Sequence, residues 1–131
     1  MVTASQEVAM TLAKQNLLGI FNERDPSKRL QQMKETYDAN ITFSEPGEVV
    51  SGLEAVDVII TKLLEKNPDY NFRPVGKVWV NHEMVTMEWE FGPDGQLSAV
   101  RGNDIMLINY TTGKIEKMYT MIDGLSDVGA V

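Results

Sequence analysis

The chain has 131 residues, of which 43% are hydrophobic and 24% charged, the size and apolar content of one globular domain rather than of a disordered segment. A net charge of -7 at pH 7 opposes phosphate-backbone binding, which needs clustered Lys and Arg, so nucleic acid is not an expected partner. The absence of cysteine removes disulfides, thiolate nucleophiles and sulfur-ligated zinc and fits a reducing, cytoplasmic address, while no run approaches the roughly 18 apolar residues of a membrane span, so no membrane association is expected.

Ala9, Leu12, Ala13, Leu17, Ile20 and Phe21 recur at helical spacing and predict a first helix from about Ser5 to Asn22 with one apolar stripe. Asp25-Pro26 supplies an N-cap and the one helical position that tolerates proline, opening a second helix with Leu30, Met33 and Tyr37 inward. Ile41 to Glu45 reads as a short strand stopped by Pro46-Gly47. Ser51-Gly-Leu-Glu54 matches a capping box, and Leu53, Val56, Ile60, Leu63 and Leu64 predict a third helix ending before Asn67-Pro68.

From Tyr70 the period changes to two. Strands are expected at Tyr70 to Val80, Met84 to Phe91, Leu97 to Asn109 and Lys114 to Ile122, joined by turns at Asn81-His82-Glu83, Gly92-Pro-Asp-Gly95 and Thr111-Thr-Gly113. Gly102 is placed for a bulge that would curve the sheet, and the tail from Asp123 reads as frayed. Helices followed by hairpin-linked strands define a single α+β domain over residues 1–131, a cone-shaped roll in which a curved antiparallel sheet wraps three N-terminal helices. Ile105 to Ile108 is apolar on both faces, so one sheet face is expected to cover the helices and the other to pair with a second copy as a homodimer.

Chemistry in such a chain falls to carboxylates. His82 is the single histidine and sits in a turn, which rules out paired-histidine mechanisms and favours an exposed turn residue. Glu88 and Glu90 alternate on one strand face, as a solvated face does. Glu45, at a strand end, and Asp104, flanked by apolar strand residues, are the candidates, because a carboxylic acid in a dry pocket titrates upward and can exchange protons near neutral pH. For Asp104 the competing expectation is pairing with Arg101. Met87 and Met118 are candidates for lining an adaptable apolar hollow. No metal-ligand spacing, phosphate loop or nucleophile elbow is present, so no metal or cofactor is implied.

The segments Met87-Glu-Trp-Glu-Phe-Gly-Pro, Gly102-Asn-Asp104, Gly113-Lys-Ile115 and Met118-Tyr-Thr-Met-Ile-Asp123 resemble the SnoaL-like group of the nuclear-transport-factor-2 and ketosteroid-isomerase superfamily. The resemblance implies a cystatin-like roll with a small-molecule pocket. Glu45 then stands where ketosteroid isomerases place the general base, and Asp104 where they place a protonated oxyanion-hole acid. Leu17 replaces the tyrosine of that oxyanion hole, and Thr120 replaces the acid/base aspartate of SnoaL-type cyclases; with Met87, Trp89 and Met118 they are the implied substrate-contacting set. The implied function is acid/base isomerisation, cyclisation or dehydration of a hydrophobic polyketide-, terpenoid- or steroid-like compound, or non-catalytic ligand binding on the same scaffold.

Overall fold

The structure, a computed structural model, describes residues 1–95 and 99–131. Three helices lie across the concave face of a six-stranded curved, unclosed sheet, as the cone-shaped roll requires. None of the helices is long and apolar enough to cross a membrane.

Helix α1 (Ala4–Lys14) begins with a capping box: the Gln6 amide N–H donates to Thr3 Oγ1 at 3.1 Å, and the Thr3 amide donates to Gln6 Oε1 at 2.9 Å. The helical path continues to Phe21, close to the expected end, but Gln15–Phe21 is π-helical. This wider turn buries Asn16, Leu17, Ile20 and Phe21 together. Helix α2 (Pro26–Thr36) is capped by Asp25, which accepts from the Ser27 amide at 2.9 Å.

The inner face of α2 differs from expectation. Arg29, Met33 and Thr36 are buried, whereas Leu30 is 38% exposed and Tyr37 opens the following strand. Arg29 is buried because its charge is fully partnered: Nε donates to Asp57 Oδ1 at 2.7 Å, Nη1 to the Glu23 carbonyl at 2.6 Å, and Nη2 to Thr61 Oγ1. Its partners Asp57 and Thr61 belong to α3 (Leu53–Lys66), so the guanidinium clamps α2 to α3.

Strand β1 (Tyr37–Glu45) starts earlier than expected and pairs with β2 (Glu48–Ser51), a strand the periodicity did not indicate. Ser51 is consequently held in that ladder opposite Thr42; the N-cap of α3 is Gly52, at φ 90°, and makes no side-chain cap bond. Strands β3 (Tyr70–Asn81), β4 (Met84–Pro93), β5 (Val100–Asn109) and β6 (Lys114–Ile122) follow, giving the order β2-β1-β6-β5-β4-β3. The sheet is antiparallel except at β1–β6, where the last strand returns beside the first in the same direction. Leu97, the expected start of the third long strand, lies outside the described residues; the described strand begins at Val100.

Curvature does not come from a bulge at Gly102, through which the register runs without interruption. The shifts fall between Val75 and Val78 in β3, at Gly76 with φ 69°, between Leu107 and Ile108 of β5 in its pairing with β6, and between Tyr37 and Thr42 of β1 in its pairing with β6. Gly102 instead seats an indole. A Cβ at this position would lie 2.3 Å from Trp89 Cζ2 and 2.6 Å from the Met121 carbonyl oxygen. The tail is tied down at its start, with the Ile122 amide donating to Ser126 Oγ at 2.9 Å and the Ser126 amide to the Ile122 carbonyl at 2.8 Å.

Alternation assigns the two sheet faces. Val85, Met87, Trp89 and Phe91 of β4 face the helices with Met106 and Ile108 of β5 and Met118 of β6. Asp104 shares that inner parity, and Glu88, Ile105 and Tyr119 point the other way. Because one approach at Gly102 comes from backbone, Gly102→Ala should displace Trp89 and cost about 1–3 kcal/mol. Denaturant unfolding together with the near-ultraviolet tryptophan signal checks this; an unchanged midpoint and spectrum would mean the indole has room to spare.

Candidate functional site

Between the helices and the concave face lies a cavity of about 620 Å³. Phe21, Phe43, Phe72, Trp89 and Phe91 form the aromatic part of its wall, beside aliphatic and polar side chains. Phe72 stacks on Phe91 with ring centroids 4.1 Å apart, meets Trp89 edge-on at 5.1 Å, and meets Phe21 edge-on at 5.6 Å. These interlocked rings come from β3, β4 and the π-helical segment, and they make that part of the chamber apolar.

Asp104 projects into this wall and is only 5% exposed. Three donors converge on its carboxylate. Trp89 Nε1 donates to Oδ1 at 3.0 Å and Thr120 Oγ1 donates to the same oxygen at 2.7 Å, while Asn16 Nδ2 donates to Oδ2 at 3.4 Å. Strand register explains the meeting, since Asp104 lies directly opposite Thr120 on β6 and opposite Met87, one inward step from Trp89, on β4. Behind Asn16, the buried Tyr37 hydroxyl donates to Asn16 Oδ1.

Two opposed effects set the acidity of Asp104. Burial disfavours the anion and dominates, while the Thr120 and Trp89 hydrogen bonds stabilise the anion and partly offset it; the pKa rises from 3.8 to about 6. The Tyr37 phenol is pushed upward by burial and, secondarily, by the Asp104 charge, and so stays protonated through neutral pH.

The expected site residues divide. Glu45, Asp104, Leu17, Trp89 and Thr120 all line this one cavity. Glu45 is half-buried at the end of β1 beside the exposed Pro46-Gly47 turn, with its carboxylate folded over Gly47, where a Cβ would lie 2.9 Å from Oε1. Met87 and Met118 are not at the cavity wall. They face inward but are packed in the core. Arg101 pairs with Glu90 at 3.7 Å on the rim rather than with Asp104. Glu90 also bonds Arg73 at 3.1 Å, and His82 is an exposed turn residue at φ 52°.

Sequence reasoning missed Asn16 and Tyr37. Asn16 carried a signal, because it is the polar member of a helical stripe running Ala9, Leu12, Ala13, Asn16 and Ile20, all of them buried. Tyr37 was placed on the inner side of a helix; it is buried, but as the first residue of β1. Among the described residues, no three His, Cys, Asp or Glu side chains come together as metal ligands.

A family model for the SnoaL-like domain matches residues 15–118. None of the curated proteins matches the chain. Among solved structures, a SnoaL-like family protein of Agrobacterium tumefaciens str. C58, provisionally named an isomerase, superposes with a TM-score of 0.81 at 21% identity over 90% of this chain and 99% of that one. A SnoaL-like protein of Jannaschia sp. CCS1, provisionally named a polyketide cyclase, gives 0.77 at 14% identity over 98% and 99%. A de novo designed protein with a curved β-sheet gives 0.67 at 15% identity over 91% and 88%, so the likeness to solved structures establishes architecture and not activity. The family model, spanning the segment that carries Asn16, Glu45, Trp89 and Asp104, settles the assignment: the chain belongs to the SnoaL-like domain family.

Proposed function

We propose that this protein is an acid/base enzyme, an isomerase, cyclase or dehydratase, acting on a neutral hydrophobic compound of polyketide, terpenoid or steroid type. The observation that carries the reading is a buried carboxylate at the wall of an aromatic cavity, with three donors aimed at it. A volume of about 620 Å³ lies within the range of small-molecule sites, roughly 300–1,000 Å³. The provisional names of the two SnoaL-like neighbours, isomerase and polyketide cyclase, agree with two of these reaction types and support the reading.

The donor set favours Asp104 as the base, in place of the neutral acid that the resemblance implied. Oδ1 is occupied by two donors, whereas Oδ2 receives only the longer Asn16 contact and keeps a lone pair for a ligand. In the proposed step an acidic C–H or O–H of the substrate gives its proton to Oδ2, and the resulting carboxylic acid returns it to another substrate atom. A pKa of about 6 leaves the group largely ionised at pH 7 yet close to the working pH, the most useful range for proton transfer. Glu45 supplies a second carboxyl group to the same cavity.

A non-catalytic binding role is favoured by one feature: Leu17 offers no hydroxyl at the cavity wall to stabilise an enolate oxygen. Proton exchange separates the two readings. In deuterated buffer the protein should accelerate loss of the α-protons of 2-tetralone, followed by proton NMR, with a rate that rises through pH 6 and levels off above it, because the base works only when ionised. Asp104→Asn should lower that rate on the order of a hundredfold or more. Exchange no faster than in buffer, or fast exchange that survives Asp104→Asn and is abolished by Glu45→Gln, would overturn the assignment of Asp104 as base.

The same carboxylate makes a stability prediction. Between 3.8 and about 6 the folded chain binds more protons than the unfolded chain, so stability falls as pH rises through that window; the rise in pKa corresponds to about 3 kcal/mol once Asp104 is fully ionised. Asp104→Asn never carries the charge. From pH 4 to pH 7 the difference in unfolding free energy between variant and parent should therefore move by about 2 kcal/mol in the variant's favour, and a difference that is flat with pH would place Asp104 in water.

We also propose that the outer sheet face pairs with a second copy of the chain. Trp79 (68% exposed), Thr86, Ile105 and Tyr119 form one cross-strand row there, and Met121 lies two residues beyond Tyr119 on β6. Sedimentation at micromolar concentration should give a dimer that Tyr119→Glu converts to monomer; a parent sedimenting only as monomer would refute the pairing. The cysteine-free sequence supports a reducing compartment such as the cytoplasm.

A further inference from the structure

Tyr37 and Asn16 form a buried polar pair that the proton-transfer step does not use directly. Neither lines the cavity. Both are almost completely inaccessible, in a core where an unused polar side chain would be costly. The Tyr37 hydroxyl donates to Asn16 Oδ1, and among the described residues it has no other hydrogen-bond partner. With its oxygen engaged, the Asn16 amide turns its nitrogen towards Asp104 Oδ2 at 3.4 Å.

We infer that Tyr37 and Asn16 are positioning residues for Asp104: the Tyr37 hydroxyl locks the Asn16 amide in the one orientation that presents a donor to Oδ2, and so keeps Asp104 a proton acceptor. That this acceptor serves catalysis rests on the proposed reading of Asp104 as the base; the positioning of its carboxylate does not.

The physical basis is the two-ended character of an amide. A primary amide accepts at one end and donates at the other, with nearly equal shape, so a buried asparagine takes its direction from its neighbours. Turned around, Asn16 would set its oxygen against Oδ2, an arrangement tolerated only when Asp104 carries a proton that it can donate. Amide direction and Asp104 protonation are therefore two readings of one equilibrium, and an O–H donor behind the amide biases both. Tyr37 fits that role because its phenol keeps its proton across the range in which Asp104 titrates.

Other charged groups around Asp104 do not substitute for the pair. Glu45 at the end of β1, Arg101 on β5 and Asp123 after β6 share the cavity with Asp104, while its remaining partners, Trp89 on β4 and Thr120 on β6, do not titrate. These groups are unchanged in variants at positions 16 and 37.

The test is the titration of the Asp104 carboxyl carbon in 13C-aspartate-labelled protein, assigned by its loss in Asp104→Asn. Tyr37→Phe keeps the ring and deletes the lock; the midpoint should move up by roughly half a pH unit or more, with an amide correlation spectrum showing the fold retained. Asn16→Ala should also raise the midpoint. In the Asn16→Ala background Tyr37→Phe should add nothing, because the hydroxyl acts through the amide.

A midpoint within 0.2 pH units of the parent in folded Tyr37→Phe, or a further shift in the double variant, would overturn the inference. Should Tyr37→Phe fail to fold, Asn16→Ala decides alone: an unmoved midpoint refutes the pair and a raised one supports it. The readout is a titration and not turnover, so absence of tetralone exchange would sink the catalytic reading while leaving this one standing, and an unmoved midpoint would do the reverse.

Discussion

Holding the Asp104 carboxylate in a buried position is the constraint on which the rest of the site depends. An isolated anion at that depth would be driven to the neutral form, and the upward pKa records that pressure. What keeps the charge accessible near neutrality is geometric: an indole from β4, a hydroxyl from β6 and an amide from the π-helical segment deliver donors from three directions. Each arrives from a different element, so the carboxylate reports on the assembly of the whole cone. Local features follow from this requirement. Gly102 has no side chain because the Trp89 ring occupies the space a Cβ would need, and that ring is the one whose N–H reaches Oδ1.

The π-helical turn has a comparable rationale. In it Asn16 and Leu17, adjacent in sequence, are both buried, one bonded to Asp104 and the other at the cavity wall. Successive residues of an α-helix stand about 100° apart and are buried together less readily. The wider turn buries both neighbours, one bonding Asp104 from behind the cavity and the other lining it, consistent with the frequent occurrence of such turns at functional sites.

Much of the architecture was legible because burial writes itself as periodicity. The stripe from Ala9 to Phe21, the Asp25-Pro26 start of α2 and the alternation Val85, Met87, Trp89, Phe91 each led to an element that forms. The misreading of α2 has one cause, a polar side chain satisfied by distant partners. Arg29 is buried because Asp57, Thr61 and the Glu23 carbonyl surround it, none of which the spacing on α2 reveals. Leu30 was placed inward for its chemistry, although the face of α2 is set by that clamp. Ser51 resembled a cap until ladder pairing with Thr42 claimed it. At the site, composition identified Asp104 and Glu45 as carboxyls in apolar surroundings, but whether Asp104 gives or takes a proton depends on donors at positions 16, 89 and 120, which only the folded register brings together.

The Arg29 clamp joins α2 to α3, and Arg24 donates to the carbonyls of Leu64 at 2.8 Å and Tyr70 at 2.7 Å, tying the end of α3 to the start of β3. Both hold the helices against the sheet. The aromatic cluster of Phe21, Phe72 and Phe91 adds interlocking packing in the cavity wall. These contacts brace the elements around a chamber that the chain's own side chains do not fill. The curved sheet alone does not require that charge, and the proposed proton-transfer role would give the buried carboxylate a use that architecture does not.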